Sequence, residues 1–202
     1  MRVSHAVPLL VLLAGVPEVL AAQDPRLGAR LDPSARGGVE RVLDSAAAVG
    51  VPVEPLVLKA LEGASKGADS ARIVTAVRTL FTNLLAARTE LGADAGEAAL
   101  VAGAAALRAG APRGQLGRLA ALRPTGQLAV PLSVLADLLS AGISGSQAWS
   151  TVYDMTARGA NDAAFLALRD RLAGRDGRQD RNLPPPAEQP PVAPLPTTER
   201  PQ

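Results

Sequence analysis

The residues best suited to binding a ligand in this chain are four arginines in its middle third. They recur at every fifth position, and the interval between Glu97 and Asp137 that contains them has no acidic residue. A guanidinium offers a planar fork of hydrogen-bond donors that matches a carboxylate or a phosphate group. The sequence therefore predicts a candidate anion-binding site. The alternative is that these side chains are solvated or pair with acids that folding brings close. The four residues are Arg108, Arg113, Arg118 and Arg123.

Few other side chains suit catalysis. The chain has no cysteine, and its one histidine, His5, lies in the leader described next. A mature protein without either residue type has no thiol or imidazole nucleophile, no zinc site built on these ligands and no histidine-ligated haem. We predict no catalytic residue, no cofactor and no metal site. Any chemistry is limited to carboxylate, arginine, lysine and hydroxyl groups.

Residues 1–22 have the parts of a secretory signal peptide in the usual order. A short positive start at Arg2 is followed by an apolar run over residues 6–16 and by small residues at Ala21 and Ala22. The apolar run is too short for a helix that spans a bilayer core of about 30 Å. We predict cleavage after one of the two alanines, no transmembrane helix in the mature chain, and export to the periplasm or the extracellular space.

The composition predicts an all-α protein. Apolar residues make up 48% of the 202-residue chain and aromatic residues only 2%, so the core must consist mainly of alanine, leucine and valine. These residues suit closely packed helices better than sheets. The net charge of +2 indicates no general affinity for nucleic acid, which we do not expect as a partner.

A recurring three-residue pattern predicts the corners between helices. In each case a glycine is followed by a small or branched apolar residue and then by a residue that can start a helix. A helix that ends with a left-handed glycine, with the next apolar residue packing back on its last turn, requires this order. We predict helix N-caps at Asp69, Asp94, Ser144 and Asn161. The six corner glycines are Gly50, Gly67, Gly92, Gly110, Gly142 and Gly159.

Apolar spacing between the corners predicts the helices. The predicted fold is a compact irregular bundle of about six to eight short helices joined by glycine corners, with a short α-solenoid as the alternative. Trp149, Tyr153 and Phe165 lie close together in sequence, which predicts dense packing in the last two helices. The predicted helices cover residues 39–49, 54–66, 70–91, 95–109, 128–141, 146–158 and 162–173, and a short, less regular segment covers 114–122.

The chain ends outside this domain carry different compositions. We expect residues 23–38 to be an N-terminal linker and residues 39–173 to form the helical domain. Residues 174–202 are charged and then proline-rich, with eight prolines between Leu183 and Gln202. Proline removes backbone donors, and such a segment offers little to bury, so a disordered tail is expected.

These features favour a non-catalytic, exported helical interaction or scaffold protein of the cell envelope or extracellular space, with an unidentified protein partner or an anionic surface ligand. One alternative is a helical enzyme that uses arginine, lysine and glutamate on a small anionic substrate. Another is a binder of anionic lipid or polysaccharide through the four arginines. An enclosed pocket with converging arginine and glutamate side chains would favour the enzyme.

Overall fold

A computed structural model describes residues 24–123 and 127–179, with side chains described as far as residue 171. This part of the chain folds into nine helices and contains no strand, which confirms the predicted all-α bundle of short helices. The predicted leader and the tail beyond residue 179 lie outside the described residues. The helices are α1 (Pro25–Arg30), α2 (Pro33–Ala48), α3 (Glu54–Ser65), α4 (Ser70–Leu91), α5 (Glu97–Arg108), α6 (Leu116–Ala120), α7 (Ala129–Ser140), α8 (Gly145–Ala157) and α9 (Asp162–Gln179).

The six predicted corner glycines all have positive φ. Gly92 departs from the predicted corner, because its ψ of 164° is not left-handed helical and the following Ala93 is exposed. After α2, the N–H of Gly50 donates to the carbonyl of Ala47 at 3.1 Å, and the N–H of Val51 donates to that of Ala46 at 2.9 Å. Val51 is buried, so it packs back on the helix it follows. The same pair of bonds ends α3, α5, α7 and α8. These corners satisfy carbonyls that a helix end otherwise leaves unpaired.

Three of the four predicted N-caps are present. The side chains of Asp69, Ser144 and Asn161 accept hydrogen bonds from backbone N–H groups in the first turns of α4, α8 and α9. The prediction for Asp94 is wrong, because α5 begins only at Glu97, and Gly96 precedes it without a side-chain capping bond. A turn in which the N–H of Ala95 donates to the carbonyl of Gly92 delays the start of the helix.

The linker predicted over residues 23–38 is wrong for its described part. Asp24 caps α1 and Asp32 caps α2, and each is followed by a proline at the first helical position. Proline suits that position because its missing N–H would be unpaired there in any case. Leu27 of α1 and Ala35 of α2 are fully buried. The two Asp-Pro pairs therefore mark helices that belong to the core.

The predicted end of the last helix is also too early. The backbone of α9 continues to Gln179, beyond the expected end at residue 173. The added segment 174–179 contains two glycines, which disfavour a helix interior, but also arginine and glutamine, which favour it. The helix therefore includes the first six residues of the predicted tail.

The helices pack mainly against neighbours one or two positions away along the chain. The most extensive packing joins α5 to α7, and α4 contacts α2, α3, α5 and α6. On α5 the buried residues are mostly small, and Gly103 lies against Ala87 and Leu91 of α4 and Leu116 of α6. Small residues let helix backbones approach closely, as the composition suggested. Both α8 and α9 pack on α7 at one end of this arrangement. None of the described helices has the length and apolar character needed to cross a membrane.

Candidate functional site

The structure divides the four candidate arginines into two groups by burial. Arg108 ends α5, Arg113 lies in the connection between α5 and α6, and Arg118 lies on α6; all three are exposed. Arg123, which follows α6, is only 8% exposed. Its environment therefore differs from that of the other three.

Arg123 connects the segment before α7 to the start of α9. Its Nη1 atom donates to the carbonyl of Gln127 at 2.7 Å and to Oδ1 of Asp162 at 3.1 Å, while Nη2 donates to the carbonyl of Ala160. The guanidinium carbon lies 5.4 Å from the centre of the Phe165 ring. Asp162 is an acid that folding brings close from a distant part of the sequence. A site that used all four arginines would require Arg123 to leave these partners.

Arg118 instead lies over an aromatic side chain of α8. Its guanidinium carbon is 5.3 Å from the centre of the Tyr153 ring. The Tyr153 ring is in turn 5.5 Å from the Trp149 ring, centre to centre, with an angle of 34° between the planes. We call Trp149, Tyr153 and Arg118 the aromatic–arginine row. Its tryptophan and tyrosine are the only ones in the chain, and both are half-buried.

The periodicity of α8 explains why these rings lie partly in solvent. Ala148, Val152 and Thr156 recur every fourth residue and are buried. Trp149 and Tyr153 each follow one of these positions and are therefore turned by about 100° from the buried stripe. This places both rings at the margin of the packed face, where part of each ring contacts the core and part remains exposed.

Arg118 reaches this row because α6 is anchored from two sides. Leu116 and Leu119 of α6 are fully buried. In addition, the carboxylate of Glu90 on α4 accepts a hydrogen bond from the N–H of Leu116 at 3.0 Å, at the positive end of the short helix. These contacts fix the orientation of α6 and leave Arg118 on its exposed side.

Arg108 and Arg113 make no ion pair or hydrogen bond with the side chains and backbone that the structure describes. Arg108 lies in the last turn of α5, where the helix dipole favours a positive charge. The guanidinium of Arg118 likewise makes no hydrogen bond or ion pair with the described residues, so of the four predicted site residues only Arg123 has its donors engaged there.

An open depression of about 270 Å³ lies between the α2–α3 corner and the α4–α5 corner. Arg88 and Glu97 are among the residues that line it. The Nη1 atom of Arg88 donates to the carbonyl of Ala93 at 2.7 Å, so part of its donor capacity is used within the protein. Within residues 24–123 and 127–171, whose side chains the structure describes, no three His, Asp or Glu side chains cluster as metal ligands would.

The strongest electrostatic perturbations lie away from the aromatic–arginine row. Hydrogen bonds from the hydroxyl of Ser70 and from the N–H groups of Ala35 and Ser34 hold the pKa of Asp32 well below its usual range. The pKa of Glu62 is lowered to about 2 by Lys59 and Lys66. The Nζ atoms of these lysines lie 2.8 Å and 2.5 Å from the carboxylate oxygens of Glu62. Asp32 serves as the N-cap of α2, and Glu62 forms surface ion pairs with the two lysines.

No protein-family model matches the chain, and no curated protein or solved structure is significantly similar to it. Sequence reasoning predicted dense packing around Trp149 and Tyr153 but did not identify them as a binding surface. The spacing of four residues between Trp149 and Tyr153 indicates that both rings lie on the same face of a helix. The contact with Arg118 is visible only in the tertiary structure.

Proposed function

We propose that the protein is an exported, non-catalytic helical interaction protein that binds a partner protein through the aromatic–arginine row. The observation that supports this most strongly is the meeting of the only tryptophan, the only tyrosine and an exposed arginine at one half-open surface. Tryptophan, tyrosine and arginine are the residues most enriched at the energetic centres of protein interfaces. Aromatic rings that are already held by the core lose little conformational freedom when a partner binds.

Export is supported by the sequence of the leader over residues 1–22. The first described helix is held by residues that follow the leader. The first turn of α1 is capped by the side chain of Asp24, which accepts from the N–H of Arg26 at 2.9 Å. Arg26 also binds Glu54 of α3, with nitrogen–oxygen distances of 2.9 Å and 2.7 Å. The described fold thus has its own N-terminal anchor just after the predicted cleavage site at Ala21 or Ala22.

The enzymatic alternative receives less support from the described geometry. The depression that holds Arg88 and Glu97 is open, and a small anionic substrate would remain largely in water there. Catalysis by charge stabilisation is strongest where solvent is excluded. A site that combines modest charge with an open surface is better suited to binding than to catalysis.

Binding of anionic lipid or polysaccharide is a second candidate function, favoured by the exposure of Arg108 and Arg113. Replacing both by Gln should weaken binding to anionic vesicles or acidic polysaccharide, and the loss should shrink as salt increases because salt screens exposed charges. Arg72→Gln is the control, because Arg72 is an exposed arginine on α4 that is not one of the four candidate residues. Its Nε atom lies 3.8 Å from Oδ2 of Asp69. Equal binding by all three proteins would contradict this function.

The interaction function is tested by site-specific photo-crosslinking in the exporting cell. A photoreactive amino acid replaces Ser150, an exposed residue beside Trp149, or Ser65, an exposed residue at the end of α3. We expect a discrete cross-linked protein from position 150 and none from position 65. Arg118→Gln should reduce this product by about tenfold, the loss typical of an interface centre. Equal cross-linking from the two positions, or no effect of Arg118→Gln, would refute the proposal.

A further inference from the structure

The aromatic–arginine row has a shape and chemistry suited to one type of segment. Two neighbouring aromatic rings provide an apolar surface for proline rings, and the adjacent guanidinium can pair with a carboxylate. Among the described helices, α8 packs substantially only against α7, so its far side is not covered by another helix. Ser146 and Ser150, which flank Trp149 on that side, are exposed. An extended proline-rich strand can therefore approach without displacing any described element.

The chain itself contains such a segment after α9. The segment Leu183–Gln202 has eight prolines and includes Pro191 and Pro194 in a Pro-x-x-Pro arrangement. Between Leu183 and Thr198 its only charged residue is Glu188. Proline-rich sequences favour the polyproline II conformation, which loses little entropy on binding.

We infer that the segment Leu183–Gln202 binds to the aromatic–arginine row of its own chain, with prolines packed against Trp149 and Tyr153 and Glu188 paired with Arg118. This inference rests on the proposed function, because it names the segment that occupies the interaction surface when no partner is bound. A partner protein must then compete with the tail, so the tail limits binding to partners that bind more tightly.

The dimensions of the row fit this segment. The guanidinium carbon of Arg118 lies 5.3 Å from the centre of the Tyr153 ring, and that ring lies 5.5 Å from the Trp149 ring, centre to centre. Because polyproline II advances about 3.1 Å per residue, about three or four residues cover the whole row. Glu188 is followed by Gln189 and then by Pro190 and Pro191. This spacing places the carboxylate of Glu188 at the Arg118 end of the row and the two prolines at the Trp149 end.

The predicted pairing also sets how far the tail must reach. Glu188 lies nine residues after Gln179, and nine residues span about 28 Å in polyproline II. The 18 residues of α9 are about 27 Å long, so this stretch can run back along α9 to the Gly159 corner that joins α9 to α8, and both helices pack on α7. Tyr153 lies four residues before Ala157, the last residue of α8. A short tether gives an effective concentration of about a millimolar, so a contact with millimolar affinity keeps about half of the molecules closed.

The test uses Trp149, the only tryptophan, as a local probe in the full chain. Quenching of its fluorescence by acrylamide is compared between the parent chain and a variant with Pro190→Ser, Pro191→Ser and Pro194→Ser. We expect quenching to increase by roughly twofold in the variant, since about half of the rings become uncovered. Equal quenching in the two proteins would overturn the inference.

Charge variants test the predicted pairing. Glu188→Gln and Arg118→Gln should each increase quenching, and the double variant should add little, because the two changes remove one interaction. Glu199→Gln changes the same charge near the end of the tail and is the matched control. If Glu199→Gln has the same effect as Glu188→Gln, the predicted pairing is wrong.

Two further outcomes separate this inference from the proposed function. Quenching of the parent chain that depends on protein concentration would indicate binding between two copies and would overturn binding within one chain. If Trp149 is not protected by the tail but position 150 still cross-links a partner, the proposed function stands and this inference fails.

Discussion

Two adjacent glycines in α2 allow a sharp test of how α2 packs against α4. A Cβ atom built on Gly38 would lie 2.5 Å from Cγ2 and 3.3 Å from Cγ1 of Val74. A Cβ atom on Gly37 would meet only the flexible end of Arg41, at 3.7 Å. The same substitution at the two positions therefore has different consequences.

The expected size of each effect follows from these distances. Glycine to alanine in a helix interior stabilises by about 1 kcal/mol. At Gly37 this gain should appear almost in full. At Gly38 overpacking costs about 1–3 kcal/mol, because both methyl groups of Val74 lie within 3.3 Å and valine strongly prefers one χ1 rotamer in a helix. Gly38→Ala should therefore be less stable than Gly37→Ala by about 1–3 kcal/mol.

Thermal unfolding followed by circular dichroism measures the difference. For a chain of this size it corresponds to a gap of roughly 2–12 °C between the two melting temperatures. Adding Val74→Ala to Gly38→Ala should recover part of the loss, because the two residues are in direct contact. If Gly37→Ala and Gly38→Ala shift the melting temperature equally, the close approach of α2 and α4 is wrong.

Two other predictions concern polar groups that join separate helices. Arg123→Met leaves the carbonyls of Gln127 and Ala160 without their donor and should destabilise the fold by about 2–4 kcal/mol. Asp162→Asn should cost less than about 1 kcal/mol in the same unfolding assay because Asp162 is 52% exposed, and equal losses would refute this assignment. The lowered pKa of Asp32 means that its ionised form stabilises the fold above the unfolded-chain pKa of about 3.9, and this stability is lost as pH falls below that value. Melting temperatures between about pH 5 and pH 2 should therefore fall less steeply in Asp32→Asn than in the parent, and an identical decline would contradict the role of Asp32.

The candidate surface was only partly accessible to sequence reasoning. The run of arginines without nearby acids predicted an anion-binding site of four residues, and the structure places Arg108, Arg113 and Arg118 on the exposed surface. Nothing in the run distinguished Arg123, because its partners at Ala160 and Asp162 lie far along the sequence. Likewise, the spacing of Trp149 and Tyr153 placed them on adjacent turns of α8 but contained no information about Arg118 on α6.

The sequence by itself determined where most of the helices end. A left-handed corner depends on local sterics, and glycine is the residue that adopts it without strain, so Gly50 and Gly142 marked their corners before any packing was known. The N-caps at Asp69 and Asn161 depend on a bond across only three residues and were predictable for the same reason.

Only the tertiary structure decided which helices meet and which charges become structural. Gly37 and Gly38 weaken the local preference for a helix, yet α2 continues through them because burial against α4 compensates for that preference. Arg123 is buried because the end of α6 and the start of α9 supply acceptors around it. Such contacts join residues that are distant in sequence, and their free energy exists only once the helices are packed.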